Sequence, residues 1–323
     1  MIKTHLFNKA NNEIIHDVQL DNIQMATANK ENLLWIDLYD YDNVELQQLA
    51  QLFDFHELTI EDCLAVDTRP KMDMYKNYSF FVFHAAVYKE YKDTEITTET
   101  LNIFVGDHYV ITVHKQKLKW LAHMEMFALK DTRFMSGGAD LLLHTIIDGI
   151  TDEYFPVLDR IRSRIDELED TMYDYPAKKI TDEFLALKRS IILIRQTIMP
   201  QRRIFSMVSG KWQFPVHEVN EPFFKDLNDH LERIVDSTET HQELVNSALD
   251  TYYSIISAKS IDKLNILTVI STIMLPLSVI ASFFGMNVPL PFQDEWWSTI
   301  VITAGLGVFT YAMWKYFTKM VTQ

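Results

Sequence analysis

Residues 264–287 read LNILTVISTIMLPLSVIASFFGMN. The run carries no charge, and it is long enough to cross a bilayer as a helix, which takes about 20 apolar residues at ~1.5 Å rise each. A membrane span is the expectation. Thr268, Ser271, Leu275, Ser278 and Ser282 succeed one another in steps of three and four, the steps that keep side chains on one helical face. Ile266, Val269, Ile273, Leu277 and Ile280 fall largely elsewhere. A hydroxyl-rich stripe inside a membrane turns to a helix partner or to water rather than to lipid. The same hydroxyls also bond back to the carbonyl four residues earlier, and the sequence leaves both readings open.

A second apolar run covers residues 296–314, with Trp296, Trp297, Trp314 and Tyr316 where interfacial aromatics belong. Lys259 and Lys263 precede the first run, Lys315 and Lys319 follow the second, and no Lys or Arg lies between. An excess of basic residues marks the cytoplasmic side, so both termini are expected there. Two spans cannot enclose a water-filled path, and conduction requires several copies around an axis.

The first span ends in Gly285-Met286-Asn287, a Gly-Met-Asn tripeptide placed between two closely spaced C-terminal spans. In that position it resembles the CorA divalent-cation channels. The resemblance implies a homopentamer with the first span lining the pore, Mg²⁺ as cargo and as regulatory ligand, passive flux without bond chemistry, and a cell (inner) membrane location. Residue by residue, Leu264, Leu275, Ser278, Ser282 and Asn287 fall on the family's pore-lining positions, with Ser271 a further hydroxyl on the same stripe. Gly285, Met286 and Asn287 would form the selectivity filter. A ring of Asn287 amide oxygens is a hard-oxygen environment without fixed charge, suited to hydrated Mg²⁺, which dehydrates reluctantly. Leu264 and Leu275 are apolar constrictions of the kind that gate by dewetting, or plain helix packing. The external loop departs from the family pattern: Leu290-Pro291 is followed by Phe292 where an acid is usual, with Asp294 and Glu295 further on.

The other bulk properties fit a soluble part joined to a membrane part. The 323-residue chain is 48% hydrophobic. Its formal net charge is −15; a nucleic acid needs the opposite sign over a binding face and is not an expected partner, whereas divalent cations are. Cys63 is the single cysteine, so no intramolecular disulfide forms. The start, MIKTHLFNKANNEIIHD, lacks the apolar segment of a signal peptide.

From residue 1 to about 138, β-rich and helical runs alternate as in a mixed α/β domain. Strands are expected at 32–37, 78–88, 100–105 and 109–113, the last two flanking Gly106-Asp107 as a hairpin. Helices are expected at 43–53, with Asn43 as cap, and at 57–65. His56, His84 and His114 read as core or edge residues. Residues 139–263 read as a helical hairpin and stalk. Leu142, Ile146, Ile150, Tyr154, Leu158, Ile161, Ile165 and Leu168 form one stripe in a helix over 139–173. A second helix covers 177–205. After the Gly/Pro-punctuated linker at 209–222, one helix runs unbroken into the membrane. The fold expected is thus an α+β membrane protein: cytoplasmic α/β domain at 1–138, helical stalk at 139–263, and membrane domain at 264–323 with spans at about 264–284 and 297–315.

Asp226 and His230 lie one turn apart on the stalk helix, a spacing that offers a carboxylate and an imidazole to one ion. The resemblance implies a regulatory ion there, completed by the α/β domain, where Glu90 and Asp93 are candidates. It also implies an acid where this chain has Arg162. Two other readings stand beside the Mg²⁺ (or Co²⁺ or Ni²⁺) channel: a Zn²⁺ transporter of the same superfamily, and a membrane-tethered scaffold that conducts nothing. Imidazole or soft ligands in the pore would favour zinc, and the stripe has none.

The topology is testable with single cysteines replacing Gln293 and Thr322 in a Cys63→Ser background. The two should label from opposite sides of intact cells or oriented vesicles; equal labelling from one side would exclude the two-span arrangement.

Overall fold

The computed structural model describes residues 1–19, 23, 29, 31–65, 68–88, 96–128, 131–172, 177–208, 210–285 and 296–321. The chain forms two compact units, Met1–Leu249 and Asp250–Gln323.

The first unit is built on a seven-stranded sheet: β1 Ile2–Asn8, β2 Glu13–His16, β3 Leu33–Tyr39, β4 Lys71–Met74, β5 Tyr78–Tyr88, β6 Ile96–Gly106 and β7 Tyr109–His114, in the order β2-β1-β3-β7-β6-β5-β4. Neighbours are antiparallel except β3 and β7, which pair in parallel with Ile36 opposite Ile111. The hairpin expected around Gly106-Asp107 is β6–β7, in register from Val105↔Val110. Alternation assigns each side chain to a face. Leu34, Ile36, Leu38, Phe80, Val82, Phe104, Ile111 and Val113 bury one face together with residues of α1 Asn43–Phe53 and α2 Glu57–Leu64. The cap of α1 is Asp42 rather than Asn43. Its carboxylate accepts from the Glu45 N–H while Glu45 Oε2 accepts from the Asp42 N–H, a reciprocal box that satisfies two orphan donors. His56 caps α2, its Nδ1 accepting from Leu58 N–H at 3.2 Å.

The other face of the sheet meets helices that come after it in sequence, α5 Ala139–Asp152, α6 Tyr154–Thr171 and α7 Ala177–Ile204, while α3 Lys119–Ala128 and α4 Arg133–Ser136 pack against α5. Phe81 and Phe83 meet Phe205 at ring separations of 6.3 and 5.9 Å, and the buried Tyr154 hydroxyl donates to the His84 carbonyl at 2.9 Å. The single helix expected over 139–173 is two, broken at Glu153. Pro156 explains the break: it has no N–H to donate to the Asp152 carbonyl, so the ladder of one helix cannot run into the next. The apolar stripe continues across the break, with Ile150, Tyr154 and Leu158 all buried.

α8, Glu221–Phe284, is one helix of 64 residues. In the first unit Phe224, Leu227, Leu231, Ile234, Thr238, His241, Val245 and Ala248 are buried, a strict alternation of three- and four-residue steps that gives a coiled-coil seam. Arg202–Glu232 at 3.1 Å and Arg195–Glu239 at 2.7 Å step antiparallel along α7 and α8 at seven-residue intervals. Asp166, Glu167 and Asp170 of α6 face solvent, as the stripe requires.

The second unit holds the rest of α8 and α9, Trp296–Val321. Each contains a window long and apolar enough to span a membrane, of mean hydropathy 2.2 and 1.3, with none of either window buried. Each still has one half-buried face: Val269, Ile273, Pro276, Leu277 and Ile280 on α8, and Ser298, Ile302, Leu306, Thr310 and Met313 on α9.

Gly149 of α5 is a close-approach position: a Cβ there would lie 1.9 Å from Trp120 Cε2, and the Trp120 indole donates to the Thr145 carbonyl at 3.0 Å. Gly149→Ala should destabilise the first unit by about 1–3 kcal/mol through overpacking, read as a lower thermal midpoint by tryptophan fluorescence of the detergent-solubilised protein. An unchanged midpoint would contradict the contact.

Candidate divalent-cation site and pore face

The site is assembled by two helices that run in the same direction. Asp140, His144, Asp148 and Asp152 recur every four residues on α5, and they meet, in order, Asn220, Phe223 and Phe224, and His230. His230 Nδ1 lies 3.3 Å from Asp148 Oδ1 and 3.4 Å from Asp152 Oδ1, and its Nε2 lies 3.7 Å from Asp226 Oδ2. Asp148, Asp152 and His230 each offer one ligand atom, all within 4.8 Å of one another. The imidazole is held edge-on by Phe155 at 5.9 Å, and the Arg233 guanidinium lies over the Phe155 ring at 5.1 Å.

The electrostatics favour a cation. Burial first, and then the neighbouring Asp148 carboxylate, raises the pKa of Asp152: two carboxylates share a half-dry space with too little positive charge. Burial lowers the pKa of His144, one turn before Asp148. Asp148 Oδ1 and His230 Nδ1 are buried atoms without a well-directed hydrogen bond among the described residues. Oxygen ligands suit Mg²⁺, and an added imidazole suits Co²⁺ or Ni²⁺ better. The residues present therefore fit a divalent ion.

Asp226 and His230 are thus brought together as their spacing implies. The partners the structure supplies are Asp148 and Asp152, which the apolar pattern of their helix conceals in the sequence. Their four-residue spacing within that helix is the signal that could have found them. Glu90 and Asp93 lie outside the described residues. Arg162 is exposed; after burial it is the main influence lowering the pKa of His241, with Asp159 and Asp166 acting the other way. Lys71 pairs with Asp62 at 2.6 Å, an ion pair between a strand and α2.

On the membrane part of α8, Leu264, Thr268, Ser271, Leu275, Ser278 and Ser282 are all exposed, on the side away from the half-buried face. Thr268 and Thr272 hydroxyls bond back to the Leu264 and Thr268 carbonyls at 2.8 and 2.7 Å. The exposed stripe is therefore left uncovered by this chain's own described residues. Gly285 closes the helix, its N–H donating to the Ala281 carbonyl at 3.0 Å. Met286 and Asn287 lie outside the described residues.

Known proteins share this architecture. A family model described as "CorA-like Mg2+ transporter protein" matches residues 30–319. The cobalt/magnesium transport protein CorA of Thermotoga maritima is 30% identical over 289 residues, covering 88% of this chain and 82% of the relative. The putative metal ion transporter YfjQ of Bacillus subtilis is 28% identical over 86% of each chain. The complete structure of the CorA magnesium transporter from Methanocaldococcus jannaschii superposes with a TM-score of 0.84 at 20% identity, covering 98% of this chain and 96% of that one.

Proposed function

We propose a function from the premise that the chain belongs to the CorA-like Mg²⁺ transporter family, whose members are ion transporters and not enzymes. It is a channel for passive Mg²⁺ flux, gated by cytoplasmic Mg²⁺. The observation that carries the reading is the uncovered hydroxyl stripe on an otherwise apolar membrane helix. Lipid offers those hydroxyls nothing, whereas a pore shared between copies offers water. Five copies around an axis would place Ser271, Ser278 and Ser282 along the path and Leu264 and Leu275 as its apolar constrictions. Gly285, Met286 and Asn287 would form the outer filter. A second reading, Co²⁺ as additional cargo, is supported by the similarity to the cobalt/magnesium transport protein of Thermotoga maritima.

In this reading residues 1–138 are the cytoplasmic α/β domain, 139–263 the stalk and 264–323 the membrane domain, with both termini in the cytoplasm of a cell whose inner membrane holds the channel. The Asp148, Asp152, Asp226 and His230 cluster is the regulatory ion site. Bound Mg²⁺ offsets the repulsion of its carboxylates and favours the closed arrangement. Glu90 and Asp93 would contribute from the α/β domain of a neighbouring copy. A ligand shifts such an equilibrium only through different affinity for the two states.

Asn287→Ala should leave assembly intact and remove Mg²⁺ flux into proteoliposomes, because the amide ring that holds the hydrated ion is lost. Unchanged flux and ion preference would exclude Asn287 as the filter.

A further inference from the structure

The linker between α7 and α8 is fastened to the start of α5 by a single buried carboxylate. Asp140 is 4% exposed and sits in the first turn of α5. Its Oδ2 accepts from the His217 backbone N–H at 2.8 Å and from the Asn220 side-chain amide at 3.0 Å, and that amide also donates to the Gly137 carbonyl at 3.2 Å. Its Oδ1 lies 2.9 Å from His217 Nδ1 and has no directed hydrogen bond among the described residues. A buried carboxylate oxygen so placed is compensated most strongly when the imidazole beside it is charged. That imidazole is 75% exposed, so protons reach it freely.

The position matters because the same two helices go on to form the cation cluster. Asp140 meets Asn220, His144 meets Phe223 and Phe224, and Asp148 and Asp152 meet His230. The Asp140 contacts lie at the N-terminal end of this parallel pair, about 12 Å along the helix from Asp148 at ~1.5 Å per residue. They fix the height of α5 against α8, on which the meeting of Asp148 and Asp152 with His230 depends.

We propose that Asp140 and His217 form a proton-operated clasp: with the His217 imidazole cationic the linker is locked onto α5 and the divalent-cation cluster is held in register, and with it neutral the lock loosens. Asp140 and His217 are positioning residues and touch no ion. The charged and titratable groups facing His217 are Asp140 from α5, Tyr75 and Lys76 from the β4–β5 turn, Tyr78 from β5 and Asp107 from the β6–β7 turn, around a cleft of about 370 Å³. Asp140 alone among them is within ion-pair distance of it. An imidazole acquires its charge as pH falls through the range of 8 to 5, so the clasp tightens with acidification. The clasp therefore supports the cluster most at low pH.

This inference deepens the regulatory reading of the cluster and rests on it for the coupling alone. The test uses the full-length protein in lipid nanodiscs. Amide hydrogen exchange of residues 216–224, corrected for the intrinsic pH dependence of exchange, is compared between wild type and His217→Gln from pH 8 to 5.5, together with Co²⁺ affinity by calorimetry. In wild type, protection should rise about fivefold toward acid, a ratio set by a charge-assisted contact replacing a neutral one; in His217→Gln it should be flat, while Co²⁺ affinity falls more steeply with acidification than in wild type. The exposed His217 makes this variant safe to fold, and Asp140→Asn should lose protection at every pH. Superimposed exchange profiles for wild type and His217→Gln would overturn the clasp. Exchange that responds while Co²⁺ affinities coincide at every pH would overturn its coupling to the cluster. Exchange that responds in a wild type that binds no Co²⁺ would leave the clasp standing and remove the regulatory reading of the cluster.

Discussion

A backbone that enters lipid has to satisfy its own hydrogen bonds, and that constraint shapes this chain. α8 meets it with one continuous helix from Glu221 to Phe284. The same element carries the seam that packs on α7, the Asp226 and His230 pair, and the uncharged membrane segment. Pro276 omits one donor inside that segment, a loss that packed helices tolerate. One helix thus holds both Asp226 and His230 and the hydroxyl stripe, so an ion bound at the proposed site would act on the element that contributes the proposed pore face.

The cluster is placed by packing rather than by local sequence. α5 is buried on nearly every side, so its carboxylates emerge only where it runs beside α8. Three carboxylates around one imidazole repel one another, and burial first and the Asp148 carboxylate second raise the pKa of Asp152.

How much of this the sequence disclosed depends on range. The span at 264–284, its lysine flanks and the uninterrupted α8 were legible because each is a local pattern of composition or period. The β6–β7 hairpin was legible from its β-branched runs about Gly106. Strand β1 escaped because two of its buried positions are polar: Thr4 donates to the Val18 carbonyl and His5 shares a 2.7 Å contact with His16. Those partners hide the hydrophobic pattern. The break at Glu153 comes from Pro156, which the continuous apolar stripe overrode. The approach of Asp226 to His230 was legible from their spacing, but that of Asp148 and Asp152 was not, because their partner lies far along the chain and the stripe alone accounted for α5. The role proposed for Asn287 comes from family resemblance and not from periodicity.

Flux against internal Mg²⁺ in proteoliposomes of fixed orientation is the sharpest test of the proposal that the cluster between α5 and α8 senses cytoplasmic Mg²⁺. Paired neutralisation, Asp148→Asn with Asp226→Asn, should shift the inhibition curve to at least about tenfold higher Mg²⁺, equivalent to ~1.4 kcal/mol of lost binding, with the order of ion preference unchanged. Inhibition curves that superimpose on wild type would contradict the account.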